Sequence, residues 1–378
     1  MEEWKEYKLG DVLTIKYGKD HKQLADGDIP IYGSGGIMRY GERSLYDGPS
    51  ILIPRKGSLN NVIYADKPFW TVDTMFWSII NDFIANPLFV YYSICKKDFA
   101  SLNVGSAVPS LTVPVIEDID ILLPSKATQD KVVSVLKSLD DKIELNRHIN
   151  DNLEQQAQAL FKSWFVVFEP FKKGKFIDSE LGMMPEGWQV EELGNITNSI
   201  TEKVGKRTDI KVLSPVNTGD LLLSEEYFTK QVYSKNLAKY IMVAPNDFAY
   251  NPARINIGSI GMNTFDFSGC VSPVYVVFRC EKEYHHFFNI FKATKNFKEE
   301  VNTRAIGGVR QTLSYKDFSL IKIVYPPKEV VEQFNKIYSH IMTLIKKNVL
   351  ENKRLHQTRD TLLPKLMSGE LKINDINN

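Results

Sequence analysis

From Val132 the apolar side chains recur at Val132, Leu136, Leu139 and Ile143, then at Leu153, Ala157, Leu160 and Trp164. The spacing alternates four and three, and Asn146 and Asn150 occupy the positions missing from the series. A second run repeats it through Phe334, Tyr338, Ile341, Ile345, Asn348, Asn352, Leu355, Arg359, Leu362 and Leu366. Heptads sustained over this length predict two long helices whose apolar seams pair as a coiled coil. At about 1.5 Å per residue, runs of about 40 residues make helices roughly 60 Å long. Asparagine inside such a seam costs stability and fixes register, so Asn146, Asn150, Asn348 and Asn352 are the candidate register positions. The alternative is that each helix packs on its own domain.

The pattern changes elsewhere. The runs SILIPRK, TVDTMFWSII, IDILLP, SPVYVVFRC and LIKIVYP are short and rich in β-branched and aromatic residues, which predicts strands. Stretches 86–102 and 283–301 predict helices ahead of the last strand of each set. Residues 169–188 carry Pro, Gly and mixed charge without periodicity and read as a connector.

The chain says much of this twice. GSAVPSLTVPVIEDIDILLP at 105–124 matches GGVRQTLSYKDFSLIKIVYP at 307–326 at a constant offset of 202, pairing Gly105 with Gly307, Leu111 with Leu313, Ile119 with Ile321, Ile121 with Ile323 and Pro124 with Pro326. The offset persists along both helical runs. WKEYKLGDV at 4–12 resembles WQVEELGNI at 188–196 at an offset of 184, so the second half carries 18 extra residues before the common tail. The expected fold is α+β: two similar α/β domains, each followed by a long helix, the two helices pairing as an antiparallel coiled coil with pseudo-two-fold symmetry. The expected divisions are 1–125, helix 126–168, connector 169–187, 188–327, and helix and tail 328–378.

A chain of 378 residues with 43% hydrophobic and 25% charged residues suits a globular protein of at least two domains. No apolar run approaches the roughly 18 residues of a membrane span, and the N-terminus has no signal-peptide pattern. Three cysteines without metal-type spacing suggest a reducing, cytoplasmic setting. A net charge of +1 leaves room only for local basic patches. There is no GxGxxG before a helix, no P-loop and no Pro-Asp nuclease pattern. YNPARI at 250–255 begins like the base-holding loop of amino-methyltransferases, but Ala253 and Arg254 break the likeness. His285 and His286 lack a ligand set. No catalytic site is indicated.

Binding residues are easier to nominate. A Gly-rich loop offers Ser34, Gly35 and Gly36, with Arg39 and Tyr40 close behind. A strand end carries Arg55, Lys56, Ser58, Asn60 and Asn61. In the second half a strand end carries Tyr250, Asn251, Arg254 and Asn256. Arg and Asn are the side chains that read base edges with two hydrogen bonds. Lys203, Lys206 and Arg207 form a candidate phosphate patch. Taken singly, each has an ordinary reading as a hairpin or a solvated loop.

Together, TRDTLLPKLMSGEL (358–371), the two half-starts, the first helical tail SLDDKIELNRHINDNLEQQAQALFKSWF (138–165) and YNPARINIGSIGM followed by GCVSPVYVVF are similar to the specificity subunits of type I restriction–modification systems, along the whole chain. The resemblance implies two target-recognition domains, each reading one half of a split asymmetric site in double-stranded DNA, with the helices setting the spacer. It implies no catalysis and no cofactor of this chain's own. Two modification subunits would supply S-adenosylmethionine and flip the target adenines. Restriction subunits would use ATP and Mg2+. The tail RDTLLPKLMSGEL would help to dock these partners. The alternatives are a coiled-coil protein-interaction scaffold, or the recognition part of a fused methyltransferase or nuclease.

Overall fold

The computed structural model describes residues 4–305 and 312–372. Gly307, the repeat partner of Gly105, lies outside them. The chain forms two compact units, residues 1–147 with 348–378 and residues 148–347. Among the described residues no helix is long and apolar enough to cross a membrane.

In the first unit, β1 (Lys5–Lys8) runs into a one-turn helix, Leu9–Val12, and then β2 (Leu13–Tyr17). That turn is held by burial of Leu9 and Val12 and by Asp11, whose carboxylate accepts the Lys8 N–H at 3.0 Å. A hairpin follows, β3 (Ile29–Gly33) and β4 (Gly36–Gly41), then β5 (Ser50–Pro54), β6 (Ile63–Ala65), β7 (Trp70–Thr71) and β8 (Met75–Ile80). The main sheet has the order β2-β8-β5-β6, antiparallel throughout. Its β5 is buried at every position, as a continuous apolar run predicts for an inner strand. β9 (Asp120–Leu123) returns beside β1 and leads into the first long helix, Lys126–Phe165.

The second unit has a small hairpin, β10 (Phe176–Ile177) with β11 (Met184–Pro185), inside the expected connector. Then come β12 (Gln189–Glu192), the turn Leu193–Ile196, β13 (Thr197–Ile200), β14 (Leu213–Pro215), β15 (Leu221–Leu223), β16 (Ile241–Val243), β17 (Phe248–Tyr250), β18 (Ile260–Met262), β19 (Gly269–Val271), β20 (Val276–Cys280) and β21 (Lys322–Tyr325). Its main sheet, β13-β20-β17-β18, repeats the order of the first. Lys5 faces Leu123 and Lys8 faces Asp120, while Gln189 faces Tyr325 and Glu192 faces Lys322. The two sequence offsets convert one register into the other. The repeated residues Leu111, Ile119 and Ile121 are buried, as are Leu313, Ile321 and Ile323. The duplicated text therefore encodes core positions at the entry and exit of each domain.

The second long helix spans Lys328–Met367 and, like the first, has 40 residues. In the first unit the helices run antiparallel. Asp140 accepts from Arg359 at 2.7 Å, and six residues on, Asn146 Nδ2 donates to Asn352 Oδ1 at 2.9 Å. Asn146 is almost fully buried; its amide also donates to Glu351 at 2.9 Å, and Asn352 donates to the Ile143 carbonyl at 3.2 Å. Asn150 and Asn348 are half-buried.

Toward the helix ends the apolar stripe widens, and helix–helix and helix–domain packing merge. Val132, Val133 and Leu136 join Leu363 and Leu366 in a core with Phe89 and Ile121. In the second unit Phe161 and Phe165 meet Phe334 with ring centroids 6.1 and 5.0 Å apart. The strict four–three series omits Phe161, Phe165 and Leu363; Phe161 and Phe165 pack both on Phe334 of the second helix and on Phe287 of the domain, and Leu363 joins the core of the first unit. The tail RDTLLPKLMSGEL, expected as docking surface, buries Leu363 and Leu366, and Gly369 lies under the ring of Trp4. Trp188, the counterpart of Trp4, is covered in the same way by Phe165, Phe168 and Phe171.

Candidate nucleic-acid interface

Three loops of the first unit converge. Ser34 and Gly35 form the tip between β3 and β4, and Gly36 has a φ of 114°, a conformation that favours glycine. Asn61 Nδ2 donates to the Ser34 carbonyl at 2.9 Å. Gly57, with φ 90°, sits so close that a Cβ there would stand 2.9 Å from Ser34 Oγ. The Gly57 N–H reaches the Pro109 carbonyl at 3.1 Å, which brings in loop 103–110. The plate so formed exposes Lys56, Ser58 and Asn60. Asn60 is oriented by Asp98 at 3.1 Å and by the Ala100 N–H at 2.9 Å. Arg55 lies over the exposed ring of Tyr17 at 5.6 Å and donates to the Asp73 carbonyl at 3.1 Å. A partly exposed guanidinium braced on an aromatic face retains donors for an incoming acceptor.

Two expected residues are corrected. Arg39 donates to the His21 carbonyl at 2.7 Å, the Leu24 carbonyl at 2.8 Å and Asp26 at 3.0 Å. Four of its five N–H donors hold the 21–26 loop, which ties the side chain to its own domain. Tyr250 is fully buried against Phe318 and Phe278, at 5.4 and 6.2 Å. Burial raises its hydroxyl pKa, and that hydroxyl has no hydrogen-bond partner among the described residues. It is a core residue. Tyr40, by contrast, is exposed on β4.

In the second unit the loop after β17 corresponds to the loop after β5. The Leu313 N–H meets the Pro252 carbonyl at 3.0 Å just as Leu111 meets Arg55 at 2.9 Å. The equivalence is of loop, not of residue, since Arg254 lies two positions past the counterpart of Arg55. Arg254 is exposed and makes no side-chain hydrogen bond or ion pair among the described residues; its charge faces Tyr275, opposing the upward shift that burial gives that phenol. Asn251 Oδ1 caps a local turn by accepting the Ala253 N–H at 3.0 Å. Asn256 is half-buried.

Backbone bonds from Val204 to Tyr240 and from Gly205 to Ala238, at 2.9 and 3.0 Å, join the 202–211 loop to segment 230–240. An open groove results, lined by Lys206, Arg207, Asp209, Lys235 and Asn236. Lys203 and Lys206 are exposed, while Arg207 is tied to Glu202 at 2.6 Å and to the Lys203 carbonyl at 2.9 Å. Lys235 and Lys239 are exposed beside them. Sequence reading missed both, because only the backbone pairing brings them there. Among the described residues no group of His, Cys, Asp and Glu could hold a metal ion.

Residues 1–155 match the model of the type I restriction modification DNA specificity domain. The chain is similar to the type I restriction enzyme MjaIX specificity subunit of Methanocaldococcus jannaschii, 27% identical over 98% of this chain and 89% of that one. It is also similar to the HindI specificity subunit of Haemophilus influenzae, 23% identical over 98% of this chain and the whole of the other. The fold resembles the crystal structure of a type I restriction-modification system S subunit from M. genitalium, with a TM-score of 0.65 at 16% identity, covering 97% of this chain and 96% of that one.

Proposed function

We propose that this chain, which belongs to the type I restriction–modification DNA specificity family, reads a split, asymmetric DNA site, one half-site per unit, for partner subunits that carry out the chemistry. The chain is a recognition subunit and not itself an enzyme. One observation carries the reading: a duplicated frame of identical register presents two unlike sets of loops, each with exposed cations beside amide side chains. A repeated frame suits a reader of two half-sites, and unlike loops suit an asymmetric target. Two modification subunits would supply S-adenosylmethionine and carry out adenine methylation, and restriction subunits would add ATP- and Mg2+-dependent cleavage.

The test is co-expression with the modification subunits in a methylation-free host, followed by mapping of N6-methyladenine. The expected result is one bipartite, asymmetric motif with a fixed spacer. A stable complex that methylates no motif, or one that methylates without sequence preference, contradicts the proposal.

A further inference from the structure

The β3–β4 hairpin carries a feature that the polar reading of this surface does not use. Ile31 faces Arg39 and Tyr32 faces Ile37, so Met38 is an extra residue, a β-bulge on β4. A bulge re-aims side chains that strict alternation would send to opposite faces. Here Ile37 and Met38 are both exposed, at 48% and 58%. Met38 is laid across Gly33, where a Cβ would stand 2.6 Å from its sulfur. Adjacent Ile and Met beside the hairpin tip are thus left exposed rather than packed in the core. The counterpart hairpin β14–β15 buries five of its six residues and half-buries the sixth, and so offers no such tip.

The surroundings indicate what the tip meets. Through Asn61 and Gly57 it is fastened to the loop bearing Arg55 and Lys56. Segments 33–38, 55–61 and 103–110 contain those two cations and no acidic residue. The Asp98 carboxylate beside them is engaged by Asn60. An apolar tip in a cationic, amide-bearing rim suits an apolar group embedded in a polyanion. A two-stranded ribbon fits the DNA major groove, where the thymine C5-methyl is the apolar group on display.

We infer that Ile37 and Met38 are specificity-determining residues that close on a thymine methyl group in the half-site read by the first unit. This rests on the DNA-recognition reading above. Loss of one methyl contact corresponds to about a three- to ten-fold effect.

The test uses the assembled methyltransferase and its mapped site, with each thymine replaced in turn by deoxyuridine, which removes only the methyl. For the wild-type complex, one thymine in one half-site is expected to show a loss of about three- to ten-fold. Ile37→Ala with Met38→Ala should show that loss on the normal site and no further loss on the uracil site, while Met38→Leu restores the discrimination. Indifference of the wild type to every replacement overturns the inference, as does unchanged uracil sensitivity in the double variant or a half-site lacking thymine outside the target pair. Failure of the wild type to methylate any bipartite site would instead overturn the recognition reading.

Discussion

The frame and the loops of the two units obey different rules. β1 pairs β9 as β12 pairs β21, residue for residue, and the repeated Leu, Ile and Pro side chains are buried in both copies. The loops differ in length and in what they expose beside their cations. One unit offers an exposed apolar hairpin next to Arg55 and Lys56; the other buries the matching hairpin and puts forward Arg254 and a lysine-lined groove. Duplicated sequence is retained where packing sets a side chain. It departs where the side chain faces outward and answers to something outside the chain.

Breaking the frame should have the largest effect. Phe334 is fully buried among Phe161, Phe165 and Trp164. Phe334→Ala is expected to cost about 3 to 5 kcal/mol in urea unfolding, and Val132→Ala, at the matching position, about 2 kcal/mol. Equal costs would mean that the matched positions do not pack according to the volume they fill.

The asparagine pair comes next. Asn352→Leu removes one acceptor of the buried Asn146 amide and should destabilise the chain by about 1 to 3 kcal/mol. Adding Asn146→Leu should recover much of that loss while loosening spacer preference in methylation assays. A double variant with unchanged spacer preference would remove the register role from these positions.

Effects in the loops should spare stability. Arg254→Ala is expected to lower cognate recognition by about 10- to 100-fold, at one half-site only, with unfolding unchanged. An equal loss on random duplex would make it a phosphate contact. Lys206→Ala and Lys235→Ala should each lower the salt slope of DNA binding by about one, uniformly across sequences. The smallest effect is expected for Tyr250→Phe, whose buried hydroxyl lacks a partner among the described residues. Unaltered target choice is the expected outcome, and a shifted motif would return Tyr250 to the interface.

Much of the frame was legible because its signals are local. A strand's β-branched run, a heptad's spacing and a repeated Gly, Leu or Pro all report a burial pattern without knowledge of the partner. The loops were legible only as residue types. Arg39 and Arg55 look alike in sequence, yet Arg39 is tied to carbonyls of the 21–26 loop while Arg55 leans on Tyr17 with donors to spare. Tyr250 ends a strand whose alternation does not reveal that both faces are covered.

By itself, then, the sequence determined two halves, two 40-residue helices and the strand that closes each domain, because periodic burial is written into residue order. Tertiary structure alone decided that residues 348–378 complete the first unit, which cations stay free and which lysines share a groove. The physical reason is that an apolar stripe specifies a face to be covered but not what covers it. A donor's availability, likewise, depends on carbonyls and carboxylates delivered from distant parts of the chain.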